Sequence, residues 1–263
     1  MLEFVLHGHE SPYMLAIIGG SGLTQLASLE VSRQQVVRTP YGEPSGALTF
    51  GRIGNQDVAF LARHGFGHTI PPHLVNYRAN IWALARESGA GAIVSVASVG
   101  GIRADLGPGN LVIPDQIIDY TWGRQMTFHD HRDAQVVHTD FTEPYDRALR
   151  QRLIAAAAAA GQAVVDGAVY AAAQGPRLET AAEINRFERD GANIVGMTGM
   201  PEAALAREVG VPYAALTVVS NWAAGRADSA RAIHFENLEA VLKVAMVKVR
   251  QIIERLCAGG VAG

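Results

Sequence analysis

The sequence predicts a single α/β domain with a central mixed, mainly parallel sheet flanked by helices. Short, continuous apolar runs recur along the 263 residues, as expected of strands that are covered on both faces. Helical segments lie between several of these runs, and strands that alternate with helices build a mainly parallel sheet. No repeat period or low-complexity linker marks a domain boundary, so we expect one domain.

Each predicted element follows from its local pattern. The predicted strands are the apolar runs at residues 16–18, 58–62, 92–97, 111–113, 168–173, 193–197 and 213–219. The predicted helices cover residues 74–88, 145–160, 181–189, 203–208 and 236–256. The last of them has apolar residues at helical spacing between Leu238 and Ile253. Because ligands in such folds bind beyond the carboxyl ends of strands, we expect the functional residues to follow the strands.

The composition limits the classes of function. Hydrophobic residues make up 49% of the chain and charged residues 18%, which suits a globular protein with one large core. The formal net charge of -3 gives no strongly basic surface for nucleic acid, and no apolar run is long enough to cross a membrane. Cys257 is the single cysteine, so a disulfide within the chain is excluded and a cysteine-rich zinc site is not expected. We therefore expect a cytoplasmic protein with small-molecule partners.

The two ends of the chain are expected to lie outside the domain. The first 13 residues lack the basic start and long apolar stretch of a signal peptide, and Met14 opens the first strand-like run. We expect the domain to cover residues 14–257. Residues 1–13 are predicted to be a non-native or disordered leader, and residues 258–263 a C-terminal tail.

Three strand ends carry small or polar residues that suit an anion. The first strand continues into GGSG, whose glycines expose backbone N–H groups and whose Ser21 adds a hydroxyl donor. The second ends at Arg63 and His64, where a planar guanidinium suits phosphate and the imidazole offers a further donor. The third ends at Ser98. Each alone also fits an ordinary turn, and the glycine loop lacks the lysine of a P-loop and the full dinucleotide fingerprint.

Taken together, the order and spacing of these segments resemble the methylthioadenosine and purine nucleoside phosphorylase family. The resemblance is carried by IIGGSGL, ARHG with NYRANIWAL, SVGGIR followed by PGNLVIPDQIID, and GPRLET with GMTGMPEAALARE. It extends from Met14 to about Leu256. It implies a purine nucleoside phosphorylase-like fold, a homotrimer or hexamer, no metal or organic cofactor, and inorganic phosphate as the co-substrate.

The resemblance also implies roles for individual residues. The residues expected to bind phosphate are Ser21, Arg63, His64, Ser98 and Thr198. Met197 is expected to pack beneath the ribose, and His138 matches a residue that relatives lend to the neighbouring subunit's site. Ala97 stands where relatives often have a hydroxyl residue, so one phosphate contact is expected to be missing.

Asn221 and Glu179 are the residues expected to read the purine. Close methylthioadenosine phosphorylases have an aspartate at the position of Asn221. The amide NH2 of an asparagine can donate to N7 or to a 6-oxo group of the purine. An asparagine amide can also form two hydrogen bonds with adenine. Glu179, beside Leu178 in GPRLET, matches a glutamate that accepts the N1–H of 6-oxopurines, and an ionised carboxylate repels the N1 lone pair of adenine. A charge at a helix N-terminus also explains Glu179. Asn221, Glu179 and Arg63 are the expected catalytic residues. Leu178 is expected to contact the substrate.

The start of the last helix is expected to read the 5′ end of the ribose. Inosine-type relatives have a histidine there, and methylthio-type relatives have an apolar residue. Phe235 falls at the deciding position, and Leu238 lies one turn later on the same face. A shift of one residue would instead place His234 against the sugar.

The base pocket therefore resembles an inosine phosphorylase, whereas the 5′ pocket resembles a methylthioadenosine phosphorylase. This combination predicts 5′-methylthioinosine as the substrate, with hypoxanthine and 5-methylthioribose 1-phosphate as the products. Three alternatives stay open at this point. They are an inosine/guanosine phosphorylase with His234 facing a 5′-hydroxyl, a methylthioadenosine phosphorylase that tolerates Asn221, and a nucleoside-binding sensor without catalysis.

Overall fold

The computed structural model describes residues 13–130 and 136–259. The predicted leader, apart from Tyr13, and residues 260–263 of the predicted tail lie outside the described residues, so both boundaries stay predictions. The strands are β1 (Met14–Gly19), β2 (Glu30–Gln35), β3 (Leu48–Ile53), β4 (Gln56–Ala62), β5 (Ala90–Gly101), β6 (Leu111–Ile113), β7 (Gln116–Asp119), β8 (Val165–Asp166), β9 (Val169–Ala172), β10 (Ile194–Gly196) and β11 (Tyr213–Trp222). The helices are α1 (Tyr77–Trp82), α2 (Arg147–Ala159), α3 (Ala181–Arg189), α4 (Gly199–Glu208) and α5 (Phe235–Ala258).

The strands form one mixed sheet, as the sequence predicts. Its main path runs β2-β3-β4-β1-β5-β10-β9-β7, while β11 pairs with β5 and β6, and β6 also pairs with β8. The pairings of β1 with β4 and with β5, and of β11 with β5, are parallel. The pairings of β2 with β3 and of β3 with β4 are antiparallel. The carboxyl ends of β1, β4, β5 and β11 therefore meet at one edge of the sheet.

Helices cover both faces of this sheet. On one face, Ile81 of α1 and Leu205 of α4 belong to the same buried cluster. On the other face, Leu153 of α2 and Val249 of α5 pack into a second buried cluster. A smaller third cluster joins α3 to the ends of β9 and β10. No helix of the described residues is long and apolar enough to cross a membrane.

The sequence predicts one continuous helix over residues 74–88. This prediction is wrong, because the segment is divided into three successive elements. A 3₁₀ turn, Pro72–Leu74, comes first, and α1 starts only after Asn76. The side chain of Asn76 accepts a hydrogen bond from the backbone N–H of Ala79, which makes it the N-cap of α1. A π-helical turn, Ala83–Glu87, follows α1 without a break. A strong capping residue inside an apolar segment thus ends one element and starts another.

Candidate active site

A cavity of about 570 Å³ opens at the edge where the parallel strands end. It is lined by every predicted site residue except His138. These are Ser21, Arg63, His64, Ser98, Leu178, Glu179, Met197, Thr198, Asn221, Phe235 and Leu238. The cavity has the size of a pocket for a small molecule.

Arg63 follows β4 and lies fully buried at the inner end of this cavity. Its Nε donates to Oε1 of Glu202, and its Nη2 donates to Oε2 of Glu202 at 3.0 Å and to the hydroxyl of Ser95 at 2.6 Å. Its Nη1 donates to the carbonyl of Val96 at 3.0 Å. A guanidinium has five N–H groups, so one N–H on Nη1 is left for a ligand. The sequence predicts that this guanidinium binds phosphate, but most of its N–H groups are hydrogen-bonded within the protein.

Glu202 was missed by the sequence reasoning, although it organises this end of the cavity. It lies on α4 with no exposed surface, and it also accepts hydrogen bonds from the hydroxyls of Ser95 (3.1 Å) and Tyr213 (2.9 Å). Burial by itself would lower the pKa of Arg63, but the charge and hydrogen bonds of Glu202 outweigh it and raise that pKa. The guanidinium is thus held charged and fixed. The signal in the sequence is a lone carboxylate among apolar residues in PEAALA.

Gly20 allows the chain after β1 to approach Arg63 closely. A Cβ atom at this position would lie 2.8 Å from Nη1 of Arg63 and 2.6 Å from the carbonyl oxygen of Val96. No residue with a side chain fits there without displacing the guanidinium. Ser21 comes next, and its hydroxyl lies 3.4 Å from Nε2 of His68, another residue that lines the cavity.

His64 offers an acceptor to the cavity, which corrects the expectation of a second donor. Its Nδ1 lies 2.8 Å from the carbonyl oxygen of Ile70. Because a carbonyl only accepts, Nδ1 carries the proton. Burial, helped by the charge of Arg63, lowers the pKa of His64 to about 4. The ring is therefore neutral near pH 7, and its Nε2 carries no proton.

Asn221 lies at the carboxyl end of β11, and its amide is held by its two neighbours. Its Oδ1 accepts from the hydroxyl of Ser220 at 2.8 Å, and its Nδ2 donates to the carbonyl of Trp222 at 2.7 Å. One N–H of Nδ2 and one lone pair of Oδ1 are therefore left to act on a ligand.

Glu179 stands directly before α3 and is half-buried. Burial raises the pKa of its carboxyl above the ordinary value. The cap of α3 is made by other groups. Thr180 accepts from the backbone N–H of Glu183, whose carboxylate accepts from the backbone N–H of Thr180 and pairs with Arg177. Glu179 is therefore not needed as the capping charge, and its side chain lines the cavity.

The first turn of α5 lines a more exposed part of the cavity. Phe235 and Leu238 both line it, and Phe235 keeps 67% of its surface exposed. His234 precedes the helix, does not line the cavity, and lies with its Nδ1 3.4 Å from Oε1 of Glu236. The sequence allows either Phe235 or His234 at this position, and Phe235 is the residue that lines the cavity.

His138 is exposed on its own chain and lies outside the cavity. A role for this residue therefore requires a second subunit, as the resemblance implies. Within the described residues, no group of three or more His, Cys, Asp and Glu side chains is arranged to hold a metal ion.

Comparison with known proteins identifies relatives over nearly the whole chain. A family model described as the phosphorylase superfamily matches residues 14–258. A probable S-methyl-5′-thioinosine phosphorylase of Pseudomonas syringae is 53% identical over 92% of this chain and 97% of its own length. A 6-oxopurine nucleoside phosphorylase of Pyrococcus furiosus is 46% identical over 87% of this chain and 86% of its own length. Among solved structures, methylthioadenosine phosphorylase of Schistosoma mansoni with adenine has a TM-score of 0.89 at 32% identity, and the match covers 94% of this chain and 91% of that one.

Proposed function

Since this chain belongs to the phosphorylase superfamily, we propose that it cleaves 5′-methylthioinosine with inorganic phosphate. The products are hypoxanthine and 5-methylthioribose 1-phosphate. The observation that carries this proposal is that one cavity is lined by Arg63, by Asn221 and Glu179, and by Phe235. These three groups are suited to phosphate, a 6-oxopurine and an apolar 5′ substituent, respectively. The names of the relatives from Pseudomonas syringae and Pyrococcus furiosus support the same substrate class.

The phosphate is the nucleophile of the reaction. One of its oxygens forms a bond to C1′ of the ribose while the bond from C1′ to N9 breaks, and the electron pair of that bond goes to the purine. Arg63 supplies a fixed positive charge and one N–H, and Ser21, Ser98 and Thr198 supply further donors around the phosphate. The Nε2 of the neutral His64 accepts a hydrogen bond from the O–H of monohydrogen phosphate, which keeps its proton at this stage. Holding the two reactants in place accounts for most of the catalysis, with no covalent enzyme intermediate.

The purine leaves with the electron pair, so its charge must be stabilised as it develops. The free N–H of Asn221 donates to N7, and the carboxylate of Glu179 accepts the N1–H. The proton of monohydrogen phosphate ends on the base, which leaves as neutral hypoxanthine. Because adenine has a lone pair at N1, an ionised Glu179 disfavours methylthioadenosine.

The 5′ substituent selects between nucleosides that share this base. Phe235 and Leu238 present an apolar wall, which suits a methylthio group better than a hydroxyl group. Phe235 is largely exposed on one chain, and His138 lies away from the cavity of its own chain. We propose a homotrimer or hexamer in which the neighbouring subunit brings His138 to this open end.

Steady-state kinetics on three nucleosides test the proposal. Methylthioinosine, methylthioadenosine and inosine are compared at saturating phosphate, with release of free base as the readout. We expect the highest kcat/KM for methylthioinosine. A higher kcat/KM for methylthioadenosine contradicts the 6-oxopurine assignment, and a higher value for inosine contradicts the role of Phe235. Base release that does not require phosphate contradicts a phosphorylase altogether.

A further inference from the structure

Arg124 lies in the chain that follows β7, outside the lining of the cavity, and all its hydrogen bonds go to uncharged acceptors. Its Nη1 donates to the backbone carbonyls of Met197 at 2.8 Å and Met200 at 2.5 Å. Its Nη2 donates to the carbonyl of Gln174 at 2.8 Å, and its Nε donates to the side-chain oxygen of the same residue at 3.2 Å. Among the described residues, no carboxylate forms an ion pair with Arg124. Within this part of the structure, the guanidinium therefore binds uncharged groups, most of them backbone carbonyls.

The carbonyls that Arg124 binds belong to the two chain segments that hold the nucleoside residues. Gln174 opens the segment that leads to Glu179, and Met197 itself lines the cavity. The two segments also touch at Gly175, because a Cβ atom there would lie 2.5 Å from the sulfur of Met197. Arg124 thus donates hydrogen bonds to both segments, close to the point where the segments pack together.

Only an arginine has the donors that this position uses. A guanidinium presents five N–H groups in a fixed plane, so one side chain can satisfy carbonyls on two segments at once. A lysine has three donors on one atom and cannot span the same set of acceptors. The ring of Tyr77 lies against the guanidinium at 5.2 Å from its centroid, and its hydroxyl accepts from Nη1 at 3.3 Å, so α1 is tied to the same point.

We propose that Arg124 is a positioning residue for the nucleoside. This inference rests on the proposed function. Arg124 sets the separation between the segment of Glu179, which reads the base, and Met197, which packs beneath the ribose. Four of the five residues proposed to bind phosphate, Ser21, Arg63, His64 and Ser98, lie elsewhere in the chain, and Arg124 touches none of them. The fifth, Thr198, directly follows Met197 and so lies on a segment that Arg124 binds. Arg124 therefore acts mainly on the nucleoside, since only one of the five phosphate residues lies on a segment that it binds.

Two variants, Arg124→Lys and Arg124→Gln, test this role in the full-length protein. We expect the KM for methylthioinosine to rise by about tenfold, and kcat to fall, because small displacements of a bound substrate are costly. The KM for phosphate, measured at saturating nucleoside, is expected to rise by at most about threefold, because Thr198 is the one phosphate residue on a segment that Arg124 binds. Arg124→Lys is expected to recover part of the loss seen in Arg124→Gln, because it keeps the charge and some donors. Arg147→Lys, at an exposed position on α2, is the matched control.

The outcomes separate this inference from the proposed function. Wild-type protein that releases no base from any of the three nucleosides overturns the proposed function. The role of Arg124 is then judged from calorimetric binding of hypoxanthine, which both variants are expected to weaken while Arg147→Lys leaves it unchanged. If the wild type is active but the two KM values rise by the same factor, or if only the melting temperature falls, Arg124 has a merely structural role and the inference is wrong.

Discussion

The two ends of the cavity are built in different ways. At the phosphate end, Arg63 has no exposed surface and is bound to Glu202, Ser95 and a strand carbonyl. At the 5′ end, Phe235 keeps 67% of its surface exposed and stands in the first turn of α5. The first end is part of the core, whereas the second lies at the rim.

This difference matches the chemistry that we propose for each end. The attack of phosphate is common to all nucleosides, and its residues are fixed by buried hydrogen bonds and strand ends. The 5′ substituent differs between nucleosides, and its residues can change without disturbing the core. We therefore expect substitutions at the phosphate end to cost stability and activity together. Substitutions at the nucleoside and 5′ residues are expected to change selectivity alone.

The largest effect is expected for Glu202→Ala at the phosphate end. The substitution leaves the buried guanidinium of Arg63 without its counter-ion, which destabilises the protein by roughly 3–5 kcal/mol. Urea unfolding measures this loss, and phosphorolysis is expected to fall with it. The matched control is Glu143→Ala, which removes the exposed i,i+4 pair with Arg147 and should cost at most about 1 kcal/mol. Equal costs for the two substitutions would show that burial of the pair is unimportant.

The next largest effect is expected for Asn221→Asp, which changes the reading of the base. A protonated aspartate can donate to N7 and accept from the 6-amino group of adenine. We expect the ratio of kcat/KM for methylthioadenosine to that for methylthioinosine to rise by roughly tenfold or more. The unfolding free energy of each variant is measured in parallel. An unchanged ratio would mean that Glu179 or the shape of its loop dominates the selection.

A smaller effect is expected for Phe235→Ala at the 5′ end. Removing the ring takes away apolar contact with a methylthio group but not with a hydroxyl group. The kcat/KM for methylthioinosine should therefore fall by roughly tenfold relative to that for inosine. Because the ring is largely exposed, the melting temperature should hardly change. A parallel fall for both nucleosides would place the ring outside the 5′ pocket.

The smallest effect is expected from pH, acting through Glu179. Burial raises the pKa of this carboxyl, so it stays protonated to a higher pH than an ordinary glutamate. Above that pKa the carboxylate accepts the N1–H of a 6-oxopurine, and below it the O–H can donate to N1 of adenine. Turnover of methylthioadenosine relative to methylthioinosine should therefore rise as the pH falls. Glu179→Gln should remove this dependence, and if it does not, another group causes it.

The local patterns were sufficient for the fold class and for the strand ends that hold the site. The apolar runs at β1, β4, β5, β6, β9, β10 and β11 were visible because buried parallel strands are continuously hydrophobic. Strand β2 was missed because all six of its residues are exposed, and only one of them, Val31, is apolar. The capped start of α1 was missed because Asn76 stands inside an apolar segment.

The sequence by itself determined which residue types stand at the strand ends, and these support the phosphate and purine chemistry that we propose for the cavity. The tertiary structure decided how those residues are held and which atoms stay free for a ligand. The partners of Arg63 are distant in the chain, since Glu202 is 139 residues away. The carbonyls that Arg124 joins come from separate strand ends, and the protonated nitrogen of His64 is set by a carbonyl across a tight loop. A local sequence pattern reports the periodicity of one element, whereas hydrogen-bond partners between elements depend on how the chain folds in three dimensions.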